Sequence, residues 1–352
     1  MTTTLAPVDV SAELRGAQLP SWAPRAIVGS AAVVGVGAYL LGLNLFEAVL
    51  IAWVICLAVP LWSLAVEGRR KATDRFVTTL VSSAFGVALF PLVSILWTVI
   101  SKGTKVMSTE FFTYSMRNVV GPGGGIYHAL VGTLLITGAA AVISIPIGLF
   151  TSIYLVEYGQ QNRLARWIRF LVDVMTGIPS IVAGLFAYAL FALFFGDGIR
   201  IGIGGAVALS VLMIPVVVRS CEEMLKLVPN ELREAAYALG VPKWRTVAKV
   251  VLPTALAGIV TGITLSIARV IGETAPLLII AGTTDSVNFN LFHDRMATLP
   301  VFAYSSISSP GFPPQPSIDR AWGAALVLLL IVMLLNLIAR LVSYFFSPKS
   351  ER

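Results

Sequence analysis

Charge is scarce in this 352-residue chain: Asp, Glu, Lys and Arg make up 12% of it, against 57% hydrophobic residues and a mean hydropathy of +0.87. An ordinary soluble domain carries about 25% charged residues, so that class is excluded. Histidine and cysteine are nearly missing as well, with two of each. Neither His128 nor His293 stands at ligand spacing from cysteines or acids, which argues against a zinc site or a histidine-based triad. Cys56 falls within an apolar stretch and Cys221 near the polar end of another, so their sulfurs lie at different depths and no disulfide is expected. No Gly-Lys dipeptide occurs, and the run Gly121-Pro122-Gly123-Gly124-Gly125 is therefore not the phosphate-cradling loop of an ATPase. Any ATP hydrolysis that drives this protein must sit on another chain. Basic residues are not interleaved with aromatics, which leaves nucleic-acid binding without support.

What the chain has in abundance is long apolar sequence. A bilayer core of roughly 30 Å needs about 20 residues of helix. Stretches of about that length run over 26–43, 48–66, 76–100, 129–156, 171–195, 203–218, 254–281 and 322–346. The expected fold is all-α and polytopic, with about eight spans. Prolines 60, 91, 146, 179 and 215 lie in or near these spans, where neighbouring helices can satisfy the freed carbonyls. Threading from a cytoplasmic N-terminus places 18 of the 25 Lys and Arg residues inside and six outside, leaving Arg269 in the membrane. This asymmetry puts both termini in the cytoplasm and makes the net charge of +7 a matter of topology. Residues 1–25 lack a basic region leading into a short apolar core, and read as a retained cytoplasmic tail. The first two spans, 26–66, are joined by a tiny turn near Asn44 and end at Arg69-Arg70-Lys71, which makes them a separate hairpin ahead of the remainder. Two long outer loops, 101–127 and 282–321, carry the glycine run and a proline-rich spacer.

Residues 230–273 are the most informative. Asn230 is placed as an N-cap after Pro229, with Leu232, Ala235, Ala236 and Leu239 at helical spacing beside Glu231, Arg233 and Glu234. Gly240 closes that helix as a residue tolerant of positive φ. Pro242 is placed at the first position of a second helix, in which Trp244, Val247 and Val251 oppose Lys243, Arg245 and Lys249. Such an amphipathic loop either lies on anionic lipid or docks on a protein outside the membrane. Beyond it, Arg269 falls deep in the span 254–281, roughly 22 Å from its start at about 1.5 Å per residue. An arginine there costs about 2.5–3.5 kcal/mol and needs a polar partner. Glu273, four residues on, is the expected partner. Two readings stand: a pair that locks helix packing, or an arginine facing a water-filled path whose planar fork takes phosphate or carboxylate oxygens. Arg219, near the end of the sixth span with Glu222 and Glu223 close in sequence, reads on its own as an interfacial charge.

The run Glu234-Ala235-Ala236, then Gly240, then Leu252-Pro253, resembles the EAA loop of ABC importer permeases. Together with Arg219 to Leu225, Val228-Pro229, Leu232 to Gly240 and Ile267 to Leu278, it resembles the PstA-type permeases of bacterial phosphate importers, over roughly 76–346. Gly177-Ile178-Pro179-Ser180 agrees with this likeness. The resemblance implies the fold of a type I ABC importer transmembrane domain, six core helices within 67–352, preceded here by two extra ones. It implies a non-catalytic subunit that forms half of a phosphate path, with Arg219, Arg269 and Glu273 along it. It further implies that Glu234, Ala235, Ala236, Gly240, Pro242, Trp244, Leu252 and Pro253, in a coupling loop at about 229–253, meet a cytoplasmic ATPase that holds the ATP and Mg. The implied partners are a PstC-type permease, two PstB-type ATPases, an extracytoplasmic PstS-type phosphate-binding protein and membrane lipid. Permeases for sulfate or molybdate, and an ATP-independent secondary anion transporter, remain alternatives at this stage.

Overall fold

The computed structural model describes residues 19–20, 22–159 and 162–346. Most of the expected N-terminal tail, and the last six residues, lie outside that description. Among the described residues the secondary structure is helical throughout, with no strand. Seven helices are long and apolar enough to cross a membrane, and one sharply bent pair would make an eighth crossing. The chain divides into two units, 1–97 and 98–352.

In the first unit, α1 (Ala23–Leu40) and α2 (Leu45–Cys56) form the expected hairpin, and α3 (Ala58–Val66) follows α2 after one residue, Leu57. Small residues let the two arms approach closely: a Cβ on Gly35 would stand 3.1 Å from that of Ala52. Gly42, at φ +97°, makes the reversal, and the Asn44 amide donates to Glu47 Oε2 at 3.0 Å. Between α3 and α4 (Arg69–Gly103) the carboxylate of Glu67 is 2% exposed. It accepts from Arg75 Nε at 2.8 Å and Nη2 at 3.0 Å, from Ser63 Oγ at 2.7 Å and from the Leu19 amide at 3.0 Å. These donors, Arg75 above all, hold its pKa down to about 2.

The second unit is built on α6 (Tyr127–Ile153), α9 (Gly202–Lys226), α12 (Leu252–Val270) and α15 (Pro314–Phe346). Its core gathers Ile136, Leu209, Met213, Val217, Ile259 and Val270. Glycines set the helix separations: a Cβ on Gly148 would meet Val217 at 2.5 Å, and one on Gly262 would meet Ser220 at 2.6 Å. Two helices carry a π-helical turn, Tyr154–Tyr158 after α6 and Val247–Val251 before α12. The loop 104–126 includes α5 (Thr109–Thr113), and the glycine run within it is pinned by Arg320 of α15, which donates to the carbonyls of Gly121 at 2.9 Å and Gly123 at 2.8 Å. The proline-rich loop includes α14 (Leu299–Ser308), anchored where the Leu299 amide donates to Thr133 Oγ1 at 2.8 Å.

Two of the expected continuous spans are broken. The stretch 171–195 belongs to α7 (Arg163–Thr176) and α8 (Ser180–Phe195), which meet at 108°. The stretch 254–281 splits at residues 271–274 into α12 and α13 (Ala275–Ile280). Each break has a glycine followed within four residues by a proline: Gly177 and Pro179, Gly272 and Pro276. Proline drives the preceding residue out of the helical region and clashes with the carbonyl four residues back. Pro91, Pro146 and Pro215, without a glycine in that position, lie inside unbroken helices.

Candidate functional site

The two breaks face one cavity. Met175 and Thr176 end α7, Ile178 and Ser180 border the first break, and Arg269 and Glu273 border the second, with Leu212 and Val216 of α9 between them. The space is about 240 Å³. Arg269 is in the last turn of α12, and Glu273 is in the break rather than one turn further along the same helix. The expected ion pair is therefore not made: among the described residues no contact within 4.0 Å joins the two, because the chain leaves the helix between them. Arg269 is exposed and Glu273 half-buried. A cation and an anion thus share a polar cavity lined by residues of α7, α8, α9 and α12, each open to a further partner.

Arg219 also departs from expectation. It pairs with Asp173 of α7, not with Glu222 or Glu223. Glu222 is taken up by Arg169 Nε at 3.1 Å and Lys226 Nζ at 2.8 Å, and Arg169 donates in addition to the Leu155 carbonyl at 3.0 Å. Leu212, Val216 and Arg219 are spaced by four and three residues, so they share one face of α9. The Arg219 pair is accordingly about one turn beyond the cavity lining, on the side towards Lys226.

The polar loop after α9 folds as α10 (Asn230–Ala238) and α11 (Lys243–Thr246). Pro229 takes the cap position expected for Asn230, which begins the helix, and Pro242 caps α11 where a first helical position was expected. Both shifts are of one residue, the usual play of a helix end. α10 ends in a Schellman turn: Gly240, at φ +74°, donates to the Tyr237 carbonyl at 2.9 Å, and Val241 to that of Ala236 at 3.1 Å. α11 runs on through the π turn Val247–Val251 into α12, with Leu252 and Pro253 opening that helix. The loop is thus continuous with the helix that carries Arg269.

Arg233 ties α10 to the end of α6 and of α9. Arg233 donates to Glu157 Oε1 from Nε at 3.1 Å and from Nη2 at 2.9 Å. It also reaches the carbonyls of Leu225 at 3.0 Å and Val228 at 2.6 Å, and Asn230 Oδ1 at 3.2 Å. The two charged side chains are 12% and 4% exposed. Ala236 packs inward, while Glu234, Ala235, Leu232, Tyr237, Leu239, Trp244 and Pro253 remain exposed. Arg245 lies 5.2 Å from the Trp244 ring and Lys243 lies 4.9 Å from that of Tyr158. Sequence reasoning missed Asp173 and Glu157. Each is an acid in or beside an apolar segment, a signal that asks for a partner.

Membrane-crossing helices, a polar cavity between two helix breaks and a rigid polar loop with exposed apolar side chains define a membrane transport component. A model of the family described as "binding-protein-dependent transport system inner membrane component" matches residues 144–352. The phosphate transport system permease protein PstA 1 of Mycobacterium tuberculosis (strain ATCC 25618 / H37Rv) is 48% identical over 279 residues, covering 78% of this chain and 89% of its own. The PstA proteins of Mycobacterium leprae and Pasteurella multocida are 44% and 41% identical, over 77% and 80% of this chain and 89% and 97% of theirs. An inward-facing structure of the MetNI methionine ABC transporter aligns with a TM-score of 0.51 at 20% identity, over 69% of this chain and all of the matched one. The chain belongs to the binding-protein-dependent inner membrane component family, and its fold is that of a type I ABC importer transmembrane domain. Membership places it in a membrane and implies an ATPase and a binding protein as partners.

Proposed function

We propose that this chain is a permease subunit of an ATP-driven phosphate importer. The observation that carries the reading is the 48% identity to a phosphate permease across 78% of the chain, in a fold of the same transporter class. The chemistry of the cavity supports it. Arg269 offers planar, bidentate donors to a tetrahedral oxyanion, and Glu273 adds enough repulsion to keep the anion from being trapped. Arg219 is a further contact along the same path.

In this reading a PstC-type permease completes the path and a PstS-type protein delivers phosphate from outside. Two PstB-type ATPases bind ATP and Mg in the cytoplasm. The coupling loop, about 229–253, offers Glu234, Ala235, Ala236, Gly240, Pro242, Trp244, Leu252 and Pro253 to the ATPase, and a rigid loop can pass its motion to the spans. Both termini are cytoplasmic, residues 26–66 are an additional hairpin, and 67–352 form the permease unit. Uptake of labelled phosphate by cells that depend on this transporter, challenged with excess sulfate or molybdate, tests the substrate. Undiminished phosphate uptake is expected; strong competition by either anion would give the path to that oxyanion instead.

A further inference from the structure

The geometry points to Asp173 as a resident counter-ion of the transport path: it holds Arg219 in a second anion station, one helical turn from the Arg269 cavity, and gives the arginine up to the passing oxyanion. The inference rests on the permease reading above and extends it to a residue that reading leaves unused.

The placement follows from two helices independently. On α9 the cavity is lined by Leu212 and Val216, and Arg219 continues the same face three residues on. On α7 the cavity is lined by Thr176, and Asp173 precedes it by three residues. At about 1.5 Å per residue, each step displaces the pair by about 4.5 Å from the cavity wall, in both cases towards the end where Arg169, Glu222 and Lys226 gather. The Arg219–Asp173 pair therefore stands about one turn beyond the lining of the cavity that holds Arg269 and Glu273.

The state of the pair separates it from the structural ion pairs of this chain. Glu157 and Glu222 are buried, and Arg233 is nearly so. Arg219 and Asp173 are 52% and 56% exposed. Neither side chain is packed into the helix bundle, so the pair adds little to helix packing, and its partners can exchange at small cost. An oxyanion with two free oxygens meets the guanidinium fork as the carboxylate does, and replaces it without leaving a buried charge unpaired. When the anion moves on, Asp173 returns. A bare Arg219 would instead retain the anion.

The test uses the complete transporter in its membrane, with initial uptake rates measured against anion concentration and normalised to the amount of inserted protein. Asp173→Asn is expected to lower both KM and the maximal rate by about two- to fivefold, the range that a half-exposed ion pair controls. Asp173→Glu should stay close to the unaltered protein. In an Arg219→Gln background, Asp173→Asn should change nothing further, because Asp173 acts through Arg219. Unchanged kinetics in Asp173→Asn would overturn the inference, as would a lower maximal rate with KM unchanged or raised, or an effect that persists without Arg219. If Asp173→Asn does not accumulate, Asp173→Ser replaces it; failure of both where Asp173→Glu succeeds would make the pair a packing contact and overturn the inference too. The measurement uses whichever oxyanion the unaltered transporter carries, so an error about phosphate is seen in the unaltered protein and an error about Asp173 in the variants.

Discussion

Replacing Arg233 with alanine should release α10 from the helix bundle. The guanidinium is the only charged partner of Glu157 among the described residues, and it also satisfies the carbonyl of Leu225 in the last turn of α9 and that of Val228 just beyond it. Truncation leaves a carboxylate that is 4% exposed without its counter-charge. Breaking a buried pair in this way costs about 3–5 kcal/mol. At about 1.4 kcal/mol per tenfold, the docking equilibrium of α10 shifts by about 10² to a few times 10³. Amide hydrogen exchange on the protein in nanodiscs reads this directly: residues 231–238 should lose protection by about that factor, while α9 upstream of Arg219 keeps it. Glu157→Gln retains an acceptor for the arginine, so it should cost less. Unchanged protection of 231–238 in Arg233→Ala would refute the reasoning, since among the described residues no other side chain supplies the same bonds.

Four further outcomes are expected. A Cβ on Gly240 meets no atom within 4 Å, so the cost of Gly240→Val is mainly that of a β-branched residue at φ +74°, about 1–2 kcal/mol; the opened turn should reduce the amount of ATPase that co-purifies. Gly184→Ala would bring a Cβ to 2.6 Å from Pro276 Cα and force α8 from α13 beside the cavity, at about 1–3 kcal/mol, which uptake per inserted molecule should register as a loss. Glu67 has a folded pKa of about 2, below its ordinary 4.5, so its stabilising effect is present in full above about pH 4.5 and is lost as pH falls through about 2. Glu67→Gln should remove that acid dependence from proteolysis near residues 66–69. Arg269→Gln should lower uptake at least tenfold, about 1.4 kcal/mol or more, at unchanged membrane insertion; normal uptake would contradict its place on the path.

Apolar length and composition made the helices legible, because burying backbone in lipid allows little else. The polar loop after α9 was legible to within a residue, because Pro229, Gly240 and Pro242 constrain the backbone locally. The breaks were not. A hydropathy window sums over 254–281 and 171–195 without weighing that Gly272 and Pro276, or Gly177 and Pro179, act together. Arg269 and Glu273 were found as residues, but their pairing was misjudged, since four-residue spacing gives a common face only while the helix continues. Asp173 and Glu157 find their partners 46 and 76 residues away, distances at which a single sequence carries no local signal.

The most direct measurement takes the chain purified with the proteins it retains, reconstitutes it in lipid, and follows ATP hydrolysis as binding protein is added with and without phosphate. The account predicts a retained ATPase whose turnover rises with the phosphate-loaded binding protein and not with the phosphate-free one. A chain that purifies free of any ATPase, yet carries phosphate across the bilayer without ATP, would contradict it.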